Sequence, residues 1–94
     1  MRKIRAAVRV KGRVQGVNFR YETQRTARRN QVCGWVKNLP DGDVAAVFEG
    51  EEQAVLDTIE WCRSGPATAR VDHIDVEEQP WLGEFSSFEI VTAP

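Results

Sequence analysis

The order in which the hydrophobic period changes along this chain restricts its fold more than any single motif. A period of two sends alternate side chains to one face of a strand; recurrence at three and four residues marks one face of a helix. Ile4, Ala6, Val8 and Val10 alternate with Arg5, Arg9 and Lys11, which predicts a half-buried strand over 4–10. Phe19, Thr23 and Ala27 share one face of a helix from 19 to about 29, with Arg25, Arg28 and Arg29 towards solvent. Asn18 precedes that helix and is expected to cap it, its side-chain oxygen accepting from the first free N–H groups. Residues 33–38 read as a second strand and Leu39-Pro40-Asp41-Gly42 as a turn. Val44, Ala46 and Phe48 then mark a third strand that closes a hairpin.

A second helix is predicted over 51–63, with acids at its start, as the helix dipole favours. Its apolar stripe is Val55, Leu56, Ile59 and Cys62, and Gly65-Pro66 ends it. Val71, Ile74 and Val76 make a fourth strand, and their change of parity predicts a bulge near Asp72-His73. A loop through Pro80 and Gly83 leads to a short last strand around Phe88 and Ile90. With 94 residues and no repeat or linker, one domain is expected over 1–94. The order β-α-β-β-α-β plus a short C-terminal strand is the ferredoxin-like α+β sandwich: two helices on one face of a mostly antiparallel sheet, the other face largely solvated. That fold hosts unrelated functions, so the chemistry has to be read from particular residues.

The 13 basic and 14 acidic side chains leave a net charge of −1, which argues against a dedicated nucleic-acid binder. Most of the Lys and Arg fall between Arg2 and Arg29, opposed there only by Glu22, while the second half carries most of the acids. This asymmetry suits a small anionic ligand near the N-terminal third, and equally a solvated basic face. The alternating N-terminal segment forms no continuous apolar run, so neither a secretory signal nor a membrane span is expected, and the protein is placed in the cytoplasm. Cys33 and Cys62 lack a CxxC spacing and are expected as reduced, buried thiols. One histidine and no clustered ligands imply no metal site. His73, among acidic neighbours, reads as a surface residue rather than a general base. Trp35, Trp61 and Trp81 lie on different elements and read as core or rim packing rather than base-stacking platforms. Glu49, Glu51 and Glu52 read as a solvated helix start.

The segment Gly12-Arg13-Val14-Gln15-Gly16-Val17 is expected as a loop joining a strand to a helix N-terminus, where unpaired N–H groups and the positive dipole end favour an anion. Its glycines let successive N–H groups converge. Arg20 follows in the first helical turn and can present a guanidinium fork to phosphate oxygens. By themselves these residues also describe a tight turn with an exposed arginine, and Asn38 a strand-end turn residue.

The stretch GRVQGVNFR, followed by GWVKN, DGDV and SGPATARV, resembles the acylphosphatase family at matching spacing, over nearly the whole chain from Ile4 to Ile90. The GRVQGV-x-FR loop and the G-W-V-x-N-x-x-D-G strand and turn are the specific parts. The resemblance implies the ferredoxin-like fold, hydrolysis of a small-molecule acyl phosphate, no metal or cofactor, and a monomer without nucleic-acid or membrane partners. It puts the phosphate-binding arginine at Arg20, the water-orienting asparagine at Asn38, and the phosphate cradle at Gly12, Arg13, Val14, Gln15, Gly16 and Val17. Asn18 falls where the family tolerates several residues. Three other readings compete: an anion-binding regulatory module, an RNA-binding ferredoxin-like domain, and a carbamoyl-phosphate-processing domain of a larger maturation enzyme. The presence of Arg20 and Asn38 together disfavours the first, since binding alone would not need the asparagine, and charge and missing strand aromatics disfavour the second. The third would be followed by zinc-finger cysteines.

Overall fold

The computed structural model describes residues 2–92. Its strands are β1 (Lys3–Arg13), β2 (Cys33–Asn38), β3 (Val44–Glu51), β4 (Arg70–Gln79) and β5 (Phe88–Ile90); its helices are α1 (Phe19–Arg29) and α2 (Glu52–Cys62). The sheet order is β4-β1-β3-β2-β5, with every pairing antiparallel except β2 with β5. This is the expected ferredoxin-like α+β architecture.

Register explains where the core sits. Ala6, Val8 and Val10 lie opposite Phe48, Ala46 and Val44. Because side chains alternate, all six point to the same face, where Phe19 and Ala27 of α1 and Val55 and Ile59 of α2 complete a buried cluster. Phe48 and Phe88 stack at 5.5 Å between ring centroids, which seats the short β5 against the core. On α2 the stripe differs from expectation. Thr58 is fully buried and Leu56 is 46% exposed. Val55, Thr58, Ile59 and Cys62 follow the helical i, i+3, i+4, i+7 spacing, and the Thr58 hydroxyl is satisfied by donating to the Ala54 carbonyl at 2.8 Å.

β1 is longer than expected and includes Gly12 and Arg13. The bulge lies where parity predicted it: pairing passes from Lys11–His73 to Gly12–Val71, leaving Asp72 without a partner. A Cβ on Gly12 would stand 2.2 Å from the Arg70 carbonyl oxygen, so only glycine permits this approach. Its glycine therefore serves the ladder rather than the loop.

Cys62 is buried under α2, and burial pushes its thiol up to about 12, outweighing its bond with Thr23 and the charge of Arg63. Cys33 is free too but only half-buried, contrary to expectation, because its register partner Glu49 places it on the sheet face away from the helices. Among the described residues, no helix is long and apolar enough to cross a membrane.

That second face is less solvated than its sequence suggests. Glu49 is only 2% exposed. Its carboxylate accepts from the Leu82 amide at 3.0 Å and the Glu84 amide at 2.9 Å, and Arg5 donates to it at 3.3 Å. Arg5 also reaches Glu84 at 2.9 Å, so the segment between β4 and β5 is strapped onto the sheet. The reading of Glu49 as part of a solvated helix start is thus corrected: its donors lie over thirty residues away in sequence. Burial pushes its pKa up, but the two amides and Arg5 prevail and hold it below the ordinary value of 4.5. A carboxylate held below its unfolded value contributes stability that is complete above that value and lost as pH falls through the folded one. Glu49→Ala is expected to cost about 2 kcal/mol at neutral pH, since it leaves two amides without their acceptor, while Arg5 keeps Glu84 and Gln79. Glu49→Gln should flatten the loss of stability below about pH 4.5. Urea denaturation at several pH values measures both; a wild-type acid limb in Glu49→Gln would rule out the anchoring role.

Candidate active site

Between β1 and α1 the chain runs through Val14–Asn18. Val14 and Val17 are buried and pin the loop to the core, while Gly16 between them is exposed. Gly16 has φ +73° and Asn18 has φ +69°, both in the left-handed region. Asn18 makes no side-chain cap bond, contrary to expectation. Asparagine serves here because its short polar side chain tolerates the left-handed conformation. Among the described residues, the N–H groups of Gln15 to Tyr21 find no carbonyl partner; the first cap bond is Glu22 N–H to the Asn18 carbonyl at 3.1 Å. Successive free N–H groups around left-handed residues can converge on an anion, and here they stand at the positive end of an 11-residue helix.

The loop is tied down on both sides. The Thr68 hydroxyl donates to the Val17 carbonyl at 2.7 Å. The Gln15 side-chain amide donates to the carbonyls of Leu39 and Asp43, each at 2.8 Å. Those two residues flank the β2–β3 turn, which is closed by Leu39 N–H to the Asp43 carbonyl at 2.8 Å. From the opposite face of the sheet Arg9 pairs with Asp41 and, at 2.7 Å, with Asp43. The Asp43 amide and the Arg9 charge hold the Asp41 carboxyl below the usual range.

Arg20 stands in the first turn of α1 and Asn38 at the end of β2, and the fold brings them to one cleft of about 360 Å³. Gly16, Asn18, Tyr21 and Ile90 form the rest of its walls, over Val14 and Phe19. The basic excess seen in the N-terminal third is largely spent elsewhere: Arg2, Arg5, Arg9, Lys11, Arg25 and Arg28 all pair with carboxylates. Arg20 pairs with none among the described residues. The Asn38 side-chain oxygen is buried in the cleft wall, and among the described residues it meets no protein donor.

Of the six cradle residues named from sequence, Val14 and Gly16 line this cleft, and Val17 is buried beneath the loop. Gly12 belongs to the strand ladder, and Arg13, at the end of β1, lines an adjoining groove with Val17 and Thr68 that shares Gly16 and Asn18 with the cleft. The side chain of Gln15 is committed to the turn, a role its sequence context did not reveal. His73 is exposed on β4, 2.7 Å from Asp75, and does not line the cleft. Trp61 packs on Phe19 at 5.6 Å, while Trp35 and Trp81 lie under Lys37 and Lys3. Among the described residues, no three His, Cys, Asp or Glu side chains gather as a metal-ligand set.

The sequence model of the acylphosphatase family matches residues 6–90. An acylphosphatase of Geotalea uraniireducens (strain Rf4) is 60% identical over 88 residues, covering 94% of this chain and 97% of the relative. The crystal structure of the Bacillus subtilis acylphosphatase superposes with a TM-score of 0.90 at 39% identity, covering 94% of this chain and 98% of that one. T. kodakarensis HypF contains a similar unit: TM-score 0.82 at 33% identity, over 99% of this chain but 12% of the HypF chain.

Proposed function

The chain belongs to the acylphosphatase family and hydrolyses acyl phosphates to a carboxylate and inorganic phosphate; we propose that Arg20 and the β1–α1 loop amides hold the phosphate while Asn38 places the attacking water. The observation that carries the assignment is the buried Asn38 oxygen without a donor, in the same cleft as an arginine without a carboxylate. A buried acceptor left unpaired costs roughly 1–3 kcal/mol. The oxygen is closed off from solvent, and a turn of the amide that opens it to the cleft lets a water donate to it, which points the water's lone pair towards the phosphorus.

The substrate explains why so few groups suffice. Its leaving group is a carboxylate, a weak base that departs without being protonated, so no general acid is needed. Phosphoryl transfer through a loose transition state depends mainly on positioning and on stabilising charge over the equatorial oxygens. Arg20 supplies a bidentate fork and the loop supplies N–H groups. Asn38 is no base at neutral pH, yet its amide both accepts and donates. As the water oxygen bonds to phosphorus and the P–O bond to the carboxylate breaks, the water proton passes to the phosphate itself. Gly12 and Arg13 are set aside from the cradle, which is assigned to the amides from Gln15 onward with Val14 and Gly16 as its wall. We further assign the protein to the cytoplasm as a metal-independent monomer; support comes from the free thiols of Cys33 and Cys62, which suit a reducing compartment, from the leaving-group chemistry, and from a sheet face closed by the chain's own ion pairs.

Phosphate release from benzoyl phosphate should proceed unchanged in EDTA, and phenyl phosphate should react slower by roughly 100-fold or more, because its strongly basic phenoxide leaving group finds no acid. Activity lost in EDTA and restored by Mg²⁺ would overturn metal independence. Comparable rates on the two substrates would overturn the leaving-group argument.

A further inference from the structure

We infer that Gln15 is a positioning residue for the reaction, its side chain setting the distance between the phosphate-binding loop and Asn38; this rests on the water-placing role given to Asn38. The side-chain amide of a glutamine has two N–H donors. Both are used, at 2.8 Å each, on the carbonyls of Leu39 and Asp43. Leu39 follows Asn38 directly, and Asp43 closes the same turn onto Leu39. The backbone of Gln15, meanwhile, begins the run of free N–H groups that faces the anion. One residue therefore joins the group that holds phosphate to the group that holds water, although 24 and 28 residues separate the bonded partners in sequence.

Other ties to the turn do not do this. Arg9 grips Asp41 and Asp43 from the opposite face of the sheet, through exposed ion pairs that carry little energy and reach no part of the loop. Thr68 fixes the loop at Val17 but touches neither Asn38 nor its turn. In-line attack needs the water and the phosphorus held within about half an ångström of the productive geometry. A misplacement near 1 Å costs roughly 100-fold in rate. Loss of the Gln15 bridge frees the turn to shift relative to the loop while leaving Arg20 and the loop amides in place.

The full chain carrying Gln15→Ala should lose about tenfold or more in kcat on benzoyl phosphate. Its inhibition constant for inorganic phosphate should stay within about threefold of wild type. Gln15→Glu keeps the volume but offers no donor to the two carbonyls, and should fall at least as far in kcat. Circular dichroism melts of both variants give the folded fraction to which rates are referred. In the Asn38→Ala background, Gln15→Ala should change the residual kcat by less than about twofold, because a residue acting through another has nothing left to position. If phosphate inhibition weakens in step with kcat, or if the two substitutions multiply in full, Gln15 is misassigned while Asn38 stands. If Asn38→Ala itself turns over at the wild-type rate, the reading of Asn38 fails first.

Discussion

Arg20→Ala should lower turnover of benzoyl phosphate by about 100-fold or more, the cost of removing one preorganised donor from developing charge, and should weaken inhibition by inorganic phosphate as well. Both losses are expected because the guanidinium already meets the phosphate charge in the ground state and meets the equatorial oxygens more strongly in the transition state. Among the described residues no other basic side chain lines the cleft. Arg5 and Arg9 on β1 are held by carboxylates, Arg5 by Glu49 and Glu84 and Arg9 by Asp41 and Asp43. Arg13 lines the adjoining groove, on the other side of Gly16 and Asn18. Arg20→Lys should also be poor, since a point charge does not reproduce the planar fork. Steady-state kinetics beside phosphate inhibition decides this: either variant keeping more than about a tenth of the wild-type rate would show that the loop amides alone carry the phosphate.

What could be read in advance divides by the range of the interaction. Alternation at Ile4 to Val10 and the 3.6-residue spacing of Phe19, Thr23 and Ala27 are local patterns, and the strands and α1 formed where they pointed. The parity break between Val71 and Ile74 is equally local, and the bulge sits at Asp72. Thr58 misled because its polarity hides the hydrogen bond to Ala54 that lets it be buried. Glu49 misled because a strap from Leu82 and Glu84 folds over it, which no nearby residue announces. The site shows the same division. Arg20 and Asn38 stood out through the family resemblance, whereas Gln15 was named only as part of the phosphate cradle, with nothing to mark its side chain as a tie to the turn. Its side-chain partners lie across the turn, and only the tertiary fold brings them within reach.

Asn38→Ala separates placing the water from holding the phosphate. The substitution removes an amide from the wall of the cleft and leaves Arg20 and the loop amides untouched. Turnover should fall on the order of 100-fold, as for a displaced reactant, while phosphate affinity stays within about threefold. Stability should hardly change. Among the described residues no protein donor meets the Asn38 oxygen, so its removal breaks no protein hydrogen bond there, and the melting temperature should stay close to wild type. A residue that adds little to stability and much to turnover is the pattern of a group kept for chemistry. Asn38→Asp should fail for a second reason, since a carboxylate facing the substrate dianion adds repulsion and loses the amide donor; this variant alone should also bind phosphate more weakly. Calorimetric titration with phosphate, run beside kinetics and thermal melts, reads all three quantities. Equal losses in binding and kcat for Asn38→Ala would make the asparagine a phosphate ligand. A clear drop in melting temperature would mean that its oxygen serves the fold.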